Sequence, residues 1–241
     1  MNNMDDNLIL SRDGETLEGF REKNAKSITI PDSVTVIGNL AFSGCSSLES
    51  IDIPKSVTII EEGAFNRCES LKYVDLPDSV VKIGRGAFKN CTNLEFIDIP
   101  NSVNEIGSEA FYGCLSLQHL ILPQPLTKIS DSLVFNCESI NGVEIPDDVE
   151  EIEPKAFGNC KNLHDFIIGK KVKKIGAQAF YNCKLQSLYI EAVTPDGLSL
   201  PPNLFDEWTY QYCVLFVHPG SRWYFIHHPL FCKFNNIEVL R

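Results

Sequence analysis

The chain has 241 residues, 44% of them hydrophobic, and 32 acidic against 21 basic side chains give it a formal net charge of -11. This acidity disfavours nucleic acid and anionic membranes as partners, because both need a basic protein face. No apolar run approaches the length of a membrane span, so we expect no direct membrane insertion. Residues 1–7 lack the basic and apolar regions of a signal peptide, so either a signal was removed or the protein is not exported.

The N-terminal segment predicts a cap. Residues 8–20 hold a short apolar run, an Asp13-Gly14 turn signal and a second short apolar pair, a pattern typical of a β-hairpin. A repeat begins directly after this segment, and the exposed first unit of a repeat array needs a cover. We assign residues 1–24 to an N-terminal cap.

From residue 25 onward, the sequence repeats with a period of 23 residues. Prolines recur in phase at Pro31, Pro54, Pro77, Pro100, Pro123 and Pro146. Cysteines recur at Cys45, Cys68, Cys91, Cys114, Cys137, Cys160 and Cys183, and phenylalanines at Phe42, Phe65, Phe88, Phe111, Phe157 and Phe180. Such a period indicates a solenoid, in which each unit buries its apolar flank against the units on either side. We assign residues 25–190 to seven copies and one further strand.

One copy predicts two strands and a return. Residues 71–76 follow an L-x-x-L-x-L strand pattern, and the Pro-Asp-Ser that comes next turns the chain. Val80–Ile83 predicts a second short strand, and Gly84–Cys91 a helical or tight-turn return with its Phe and Cys facing inward. Stacked copies predict an α/β solenoid with a parallel β-sheet on the concave face and the returns on the convex face. The cysteines in phase then act as small buried hydrophobes.

Two further features concern how the copies stack. One column alternates in sign, at Lys82, Glu105, Lys128, Glu151 and Lys174. Opposite charges across neighbouring strands are stabilising, and a slip by one coil would bring like charges together, so we interpret this column as register control. The fifth copy has Leu133-Val134-Phe135 in place of the usual Ala-Phe pair, which predicts a locally repacked core.

The repeat is lost after Ile190, and we assign residues 191–241 to a C-terminal cap. Val214–Val217 and Ile237–Leu240 predict two more strands. Cys213 and Cys232 lie outside the repeat, and the sequence leaves open whether they pair. The nearby histidines have no metal-ligand spacing, so we expect no zinc site and no cofactor.

The pattern L-x-x-I-x-I-P-x-S-V-x-x-I-G-x-x-A-F-x-x-C, clearest in residues 71–91 and 94–114, resembles the BspA-like leucine-rich repeat family of bacterial and protist surface proteins. The resemblance spans residues 25–190, and Val217–Ser221 is similar to the terminal cap of the family, with His218 at the position of a proline. It implies a right-handed superhelix, export to the cell surface or medium, and adhesive or protein-binding roles toward host matrix and plasma proteins. It implies no catalysis.

The candidate binding site lies among the residues that alternate with the apolar positions of the first strand, since these face the concave side. A surface that exposes aromatic residues beside stacked acids is more often an interface than the rest of a protein surface is. The proposed patch consists of Asp52, Tyr73, Asp75, Phe96, Asp98 and His119. The alternatives are an ordinary solvated sheet face or a weakly held cation.

The sequence contains no G-x-S-x-G, H-E-x-x-H, Walker-type or G-x-G-x-x-G motif, and a chain that mostly repeats itself offers few singular residues for a catalytic site. We therefore predict a non-enzymatic, adhesin-like protein, monomeric, that binds a protein or glycoprotein through the concave sheet. The alternatives are an intracellular interaction scaffold that uses the same surface, and an enzyme with a site in the C-terminal cap.

Overall fold

The computed structural model describes residues 7–240. The predicted N-terminal cap begins, and the predicted C-terminal cap ends, outside these residues. The described chain is a stack of coils in which each 23-residue repeat makes one turn. No helix in this part of the chain combines the length and the apolar composition that crossing a membrane would require.

The N-terminal hairpin predicted from the sequence is confirmed. Strand β1 (Leu8–Leu10) pairs antiparallel with β2 (Thr16–Phe20), and Gly14 adopts a positive φ of 78° in the turn between them. Strand β2 also pairs in parallel with the first repeat and buries Leu17 completely. The hairpin therefore covers the first coil.

The first strand of each coil stacks in parallel on the same strand of the next coil. These long strands are β3 (Ser27–Thr29), β5 (Ser50–Asp52), β7 (Tyr73–Asp75), β9 (Phe96–Asp98), β11 (His119–Ile121), β13 (Gly142–Glu144), β15 (Asp165–Ile168) and β17 (Ser187–Ile190). Paired residues are 23 positions apart through β13, as in Val74 and Ile97, and 22 apart from β15 to β17. Where pairing lapses, between β5 and β7, β9 and β11, and β13 and β15, the strands remain in contact, so they form one continuous face.

A second set of strands stacks along another side of the coil. These two-residue strands are β4 (Val36–Ile37), β6 (Ile59–Ile60), β8 (Lys82–Ile83), β10 (Glu105–Ile106), β12 (Lys128–Ile129), β14 (Glu151–Ile152) and β16 (Lys174–Ile175). Their isoleucines form the column at the second residue of each strand, and all of these side chains are buried. Both strands predicted for each copy are therefore present.

The returns are turns, which corrects the predicted α/β class. Residues 25–190 are all described and contain no helix, so the repeat region is a β-solenoid. Each return holds two residues with positive φ four positions apart, such as Gly86 (56°) and Asn90 (59°). This geometry points backbone N–H groups along the stack: Phe88 donates to the carbonyl of Ala110 (2.8 Å) and Asn90 to that of Tyr112 (2.7 Å). Backbone N–H groups that would form hydrogen bonds inside a helix thus form hydrogen bonds between neighbouring coils.

The predicted cysteine and phenylalanine columns lie inside the stack. Phe65 and Phe88 are parallel with ring centroids 5.1 Å apart, and Phe88 and Phe111 are 5.7 Å apart. Each repeat thiol from the second onward donates to the carbonyl of a residue one coil earlier, as Cys91 does to Phe65 at 3.1 Å. The seven repeat cysteines are buried and unpaired, so they fill the core as predicted.

The fifth copy repacks as predicted. Val134 occupies the phenylalanine position and is fully buried, so the ring stack is interrupted there. Phe135 turns outward, stacks on Tyr112 with centroids 5.3 Å apart, and lies over Gly158. A Cβ at Gly158 would fall 2.9 Å from this ring, so a larger residue there would require the ring to shift.

The alternating charge column forms two of its predicted pairs, Lys82 with Glu105 (2.8 Å) and Glu151 with Lys174 (2.6 Å). Lys128 instead pairs with Glu153, at 3.0 Å. The other carboxylate oxygen of Glu153 accepts a hydrogen bond from the backbone N–H of a residue in the preceding return, at 2.8 Å. Two of the four steps of this column therefore form ion pairs, while Lys128 is engaged elsewhere.

The C-terminal segment continues the sheet. Both predicted strands are present, as β18 (Val214–Val217) and β19 (Asn236–Val239), although β19 begins and ends one residue earlier than predicted. Strand β18 pairs in parallel with β17, and β19 pairs in parallel with β18. Helices α1 (Glu207–Tyr212) and α2 (Arg222–His227) and short 3-10 turns at Pro195–Gly197 and Phe231–Lys233 connect them. Phe205, Phe225, Phe231 and Phe234 are buried here and close the end of the core.

Candidate protein-binding surface

The outward residues of the long strands form a single exposed surface, here called the strand face. In β7, Val74 is buried while Tyr73 and Asp75 on either side are exposed, and β9 repeats this alternation. Because successive side chains of a strand point to opposite faces, each long strand contributes its first and third residues to this surface.

The structure brings the six predicted site residues together on the strand face. Tyr73 lies in register with Phe96, and Asp75 with Asp98. Asp52 ends the preceding long strand and His119 begins the following one. All six side chains are exposed, and the exposed fractions of Tyr73 (52%) and Phe96 (44%) are large for aromatic residues. We call these six residues the acidic-aromatic patch.

The carboxylates of the patch differ from the other acids of the repeat. Nine ion pairs form within residues 7–240. Their acidic members lie in the returns, in the turns or before and within the short strands, except for Glu49, which directly precedes the long strand β5. None of these pairs contains Asp52, Asp75 or Asp98. Parallel neighbours lie about 4.8 Å apart, at which spacing like charges repel. The strand face therefore carries negative charge that the described part of the chain does not neutralise.

The environment of Tyr73 disfavours ionisation of its phenol. Desolvation raises the pKa of its phenol, and the negative charges of Asp75 and Asp98 raise the pKa further. A neutral phenol keeps its O–H available as a hydrogen-bond donor and its ring available for apolar contact. The arrangement suits a protein partner, since it combines a polar tip with an apolar body.

Grooves run where the strand face meets the turns that follow the long strands. Two of them, of about 650 and 520 Å³, lie beside the acidic-aromatic patch, and Asp75, Pro77 and Lys55 line both. A third, of about 540 Å³, lies further along the face beside Gly142 and Glu144. The face thus has relief into which side chains of a partner can fit.

Sequence reasoning missed a second part of the strand face. Ile121 and Ile167 are the third residues of their strands and are 61% and 54% exposed. Tyr189 and Phe216 continue this column, with parallel rings whose centroids are 4.7 Å apart. Ile121 and Ile167 occupy the same position of the 23-residue repeat as Asp98, so the repeat itself indicates them, but Phe216 lies beyond the end of the repeat. Glu144 stands between Ile121 and Ile167 in this column, whereas Ile167, Tyr189 and Phe216 follow one another without a break. We call Ile121, Ile167, Tyr189 and Phe216 the apolar strip.

The C-terminal cap shows a different arrangement. Cys213 is buried and Cys232 exposed, and both are free thiols. His218 and His227 lie within hydrogen-bond distance of backbone carbonyls of their own segments, at 2.8 and 2.7 Å. Across residues 7–240, no three His, Cys, Asp or Glu side chains are grouped so that they could hold a metal ion.

Comparison with solved structures identifies several similar solenoids. A leucine-rich cell surface protein from Faecalibacterium prausnitzii is 29% identical, with a TM-score of 0.69, over 88% of this chain and 68% of its own. A leucine-rich repeat protein from T. pallidum is 28% identical, with a TM-score of 0.66, over 74% of this chain and 86% of its own. One from Bacteroides ovatus, at 24% identity and a TM-score of 0.67, covers 97% of this chain and 67% of its own, and shows the same fold.

No protein with curated annotation matches the chain significantly. The family model described as "BspA type Leucine rich repeat region" matches residues 17–141 and 132–207, in six copies. These matches include the stacked strands, the buried cysteine column and most of the strand face. The chain therefore belongs to the BspA-type leucine-rich repeat family.

Proposed function

We propose that this protein is a non-enzymatic, adhesin-like binding protein that recognises a protein or glycoprotein through the acidic-aromatic patch of its strand face. In this proposal the strand face is the concave side of a right-handed superhelix, residues 1–24 and 191–241 cap the repeat domain at 25–190, and the protein acts as a monomer. Leucine-rich repeat proteins typically act in protein interaction, and one similar solved structure is described as a cell surface protein. We therefore place the protein at the cell surface or in the medium, with extracellular matrix proteins as candidate partners.

The observation that carries the proposal is the chemistry of the patch. Tyr73 and Phe96 are about half exposed in a fold that buries the phenylalanine of nearly every return. These two side chains do not stabilise the core, because they point away from it. Aromatic side chains are, however, enriched at protein interfaces. The neighbouring carboxylates have no ion-pair partner among the described residues, so a partner with basic groups can supply one.

The test is a binding assay with the immobilised protein against a panel of purified extracellular-matrix and plasma proteins. The double variant Tyr73→Ser, Phe96→Ser should weaken binding to the recognised protein by about tenfold or more, which corresponds to a combined loss of about 1.4 kcal/mol or more from the two aromatic side chains. The matched control is Leu40→Ser, Tyr181→Ser, which removes two exposed apolar side chains from the returns. We expect the control to bind normally.

A salt series separates the charges from the aromatics. Replacing Asp52, Asp75 and Asp98 by Asn should slow association and reduce its salt dependence, because charges at the edge of an interface act mainly on the association rate. Unchanged affinity of the Tyr73 and Phe96 variant, with an unchanged urea midpoint, would exclude the patch as the recognition site.

A further inference from the structure

We propose that the strand face has a second recognition site, formed by the groove beside Gly142 and the apolar strip, and that it binds a basic segment of a partner polypeptide in which Lys or Arg alternates with apolar residues. This proposal rests on the proposed function, in that the strand face is a protein-binding surface. It adds a location outside the acidic-aromatic patch and the chemical class of the segment that is bound.

The groove lies beside a glycine on the strand face. Gly142 occupies the outward position between His119 and Asp165 and adds no side chain of its own, and the His119 ring leans over it, with Nδ1 2.9 Å from the point where a Cβ would stand. Val143 and Ile145, which are only partly buried, line the resulting space of about 540 Å³. The groove therefore has an apolar floor beside a strand position that carries no side chain of its own.

The rim of the groove is acidic. Its lining includes four carboxylates, from Glu144, Asp147, Asp165 and Glu191, and no Lys, Arg or His. None of the four takes part in an ion pair within residues 7–240. Lys171, on the adjoining turn, is already paired with Asp148. A cation in the groove would thus meet carboxylates that no described basic side chain engages.

An apolar floor below a carboxylate rim matches the side chains of lysine and arginine. Their methylene stems pack on apolar surface while the charged end reaches polar groups. A simple metal ion would gain nothing from the floor formed by Val143 and Ile145. The combination therefore favours an alkyl cation, and on a protein-binding face that cation is a basic side chain of the partner.

The apolar strip continues from the groove. Ile167 and Tyr189 line the groove and also lie in register with each other, and Phe216 follows Tyr189 in the next strand. Neighbouring strands are about 4.8 Å apart, so the step from Ile167 to Phe216 spans about 10 Å. That length accommodates about three residues of an extended segment, whose apolar side chains would contact the strip while a neighbouring basic residue enters the groove.

The test uses a short fluorescein-labelled peptide in which lysines alternate with leucines, and its counterpart with glutamate at each lysine position. Anisotropy titrations should show binding of the lysine peptide that weakens with salt, and no binding of the glutamate peptide. The variant Glu144→Gln, Asp165→Asn should weaken binding about tenfold, because it removes two rim charges without changing shape. Ile167→Ser with Phe216→Ser should weaken it to a similar extent.

The matched control is Asp32→Asn, Asp78→Asn, which removes the same charge from two exposed turns that lie outside the strand face. We expect it to change peptide affinity less than about threefold, since those carboxylates do not line the groove. Equal weakening by both pairs would show diffuse attraction and overturn the proposal, as would equal binding of the two peptides or full affinity in the groove variant. Tyr73→Ser with Phe96→Ser tests the proposed function alone, because neither residue lines the groove or belongs to the strip.

Discussion

Truncating Phe88 tests whether the aromatic stack holds the coils together. The Phe88 ring is fully buried between the rings of Phe65 and Phe111. Replacing it by Ala removes most of a large side chain and leaves a cavity between two coils that are tied by backbone hydrogen bonds and cannot simply collapse. We expect the free energy of unfolding to fall by about 3–5 kcal/mol. The control is Phe96→Ala, which removes the same side chain from the strand face and should cost less than about 1 kcal/mol.

The assay is urea unfolding followed by far-ultraviolet circular dichroism and by tryptophan fluorescence. Both tryptophans, Trp208 and Trp223, lie in the C-terminal segment, far along the chain from Phe88. If the coils unfold together, both signals should shift by the same amount, because neighbouring units of a solenoid stabilise each other. Equal costs for Phe88→Ala and Phe96→Ala, or a cost below about 1 kcal/mol for Phe88→Ala, would refute the reasoning.

Four further predictions concern charges and thiols. Lys82→Glu should lower the free energy of unfolding by no more than about 1 kcal/mol, because the ion pair with Glu105 is exposed. The double variant Lys82→Glu, Glu105→Lys should restore the urea midpoint, and its failure to do so would argue against register control. Glu153→Ala should lower the free energy of unfolding by about 1–3 kcal/mol, because it leaves the backbone N–H of Asp131, in the preceding coil, without its acceptor. Glu153→Gln should cost less, and equal costs for the two variants would contradict this role of Glu153 as an acceptor. Burial raises the pKa of the Cys91 thiol to about 12, from 9.0 in an exposed thiol. The stability that this thiol contributes is therefore complete below about pH 9 and is lost as the pH rises toward 12. Urea midpoints measured with reductant should fall above pH 9, and a flat profile would contradict the burial of the cysteine column. Alkylation near pH 8 should modify Cys232 first, and nine thiols should react after unfolding without reductant; fewer would indicate a disulfide.

The sequence predicted the stacking because each phase of the repeat carries the same kind of side chain. Phase alone places Val74 beside Ile97 and Cys91 inside the core, and the structure agrees. The exposed positions of Tyr73 and Phe96 follow from the same alternation. Where local sequence and global register agree, a repeat can be interpreted correctly without coordinates.

The form of the returns could not be predicted in this way. The positive-φ positions are occupied by glycine or asparagine in some copies, but by Glu109, Ser132 and Lys155 in others. Such residues give no local signal for a left-handed conformation, which hydrogen bonds to the next coil stabilise here. The ion pair between Lys128 and Glu153 could not be predicted either, because the two residues do not occupy equivalent positions of neighbouring repeats. Phe216 was missed because it lies in a strand that continues the sheet after the 23-residue count has ended.

The in-register stacking of whole repeats also determines how this molecule can change in evolution. Duplicating one repeat would insert a complete rung, about 4.8 Å in height, without disturbing the contacts inside any other rung. An insertion between β9 and β11 would move the apolar strip away from Tyr73 and Phe96 by that fixed increment. The spacing between two points of contact on a ligand is therefore a countable, inheritable quantity in this scaffold, adjustable by gene duplication without redesign of either contact.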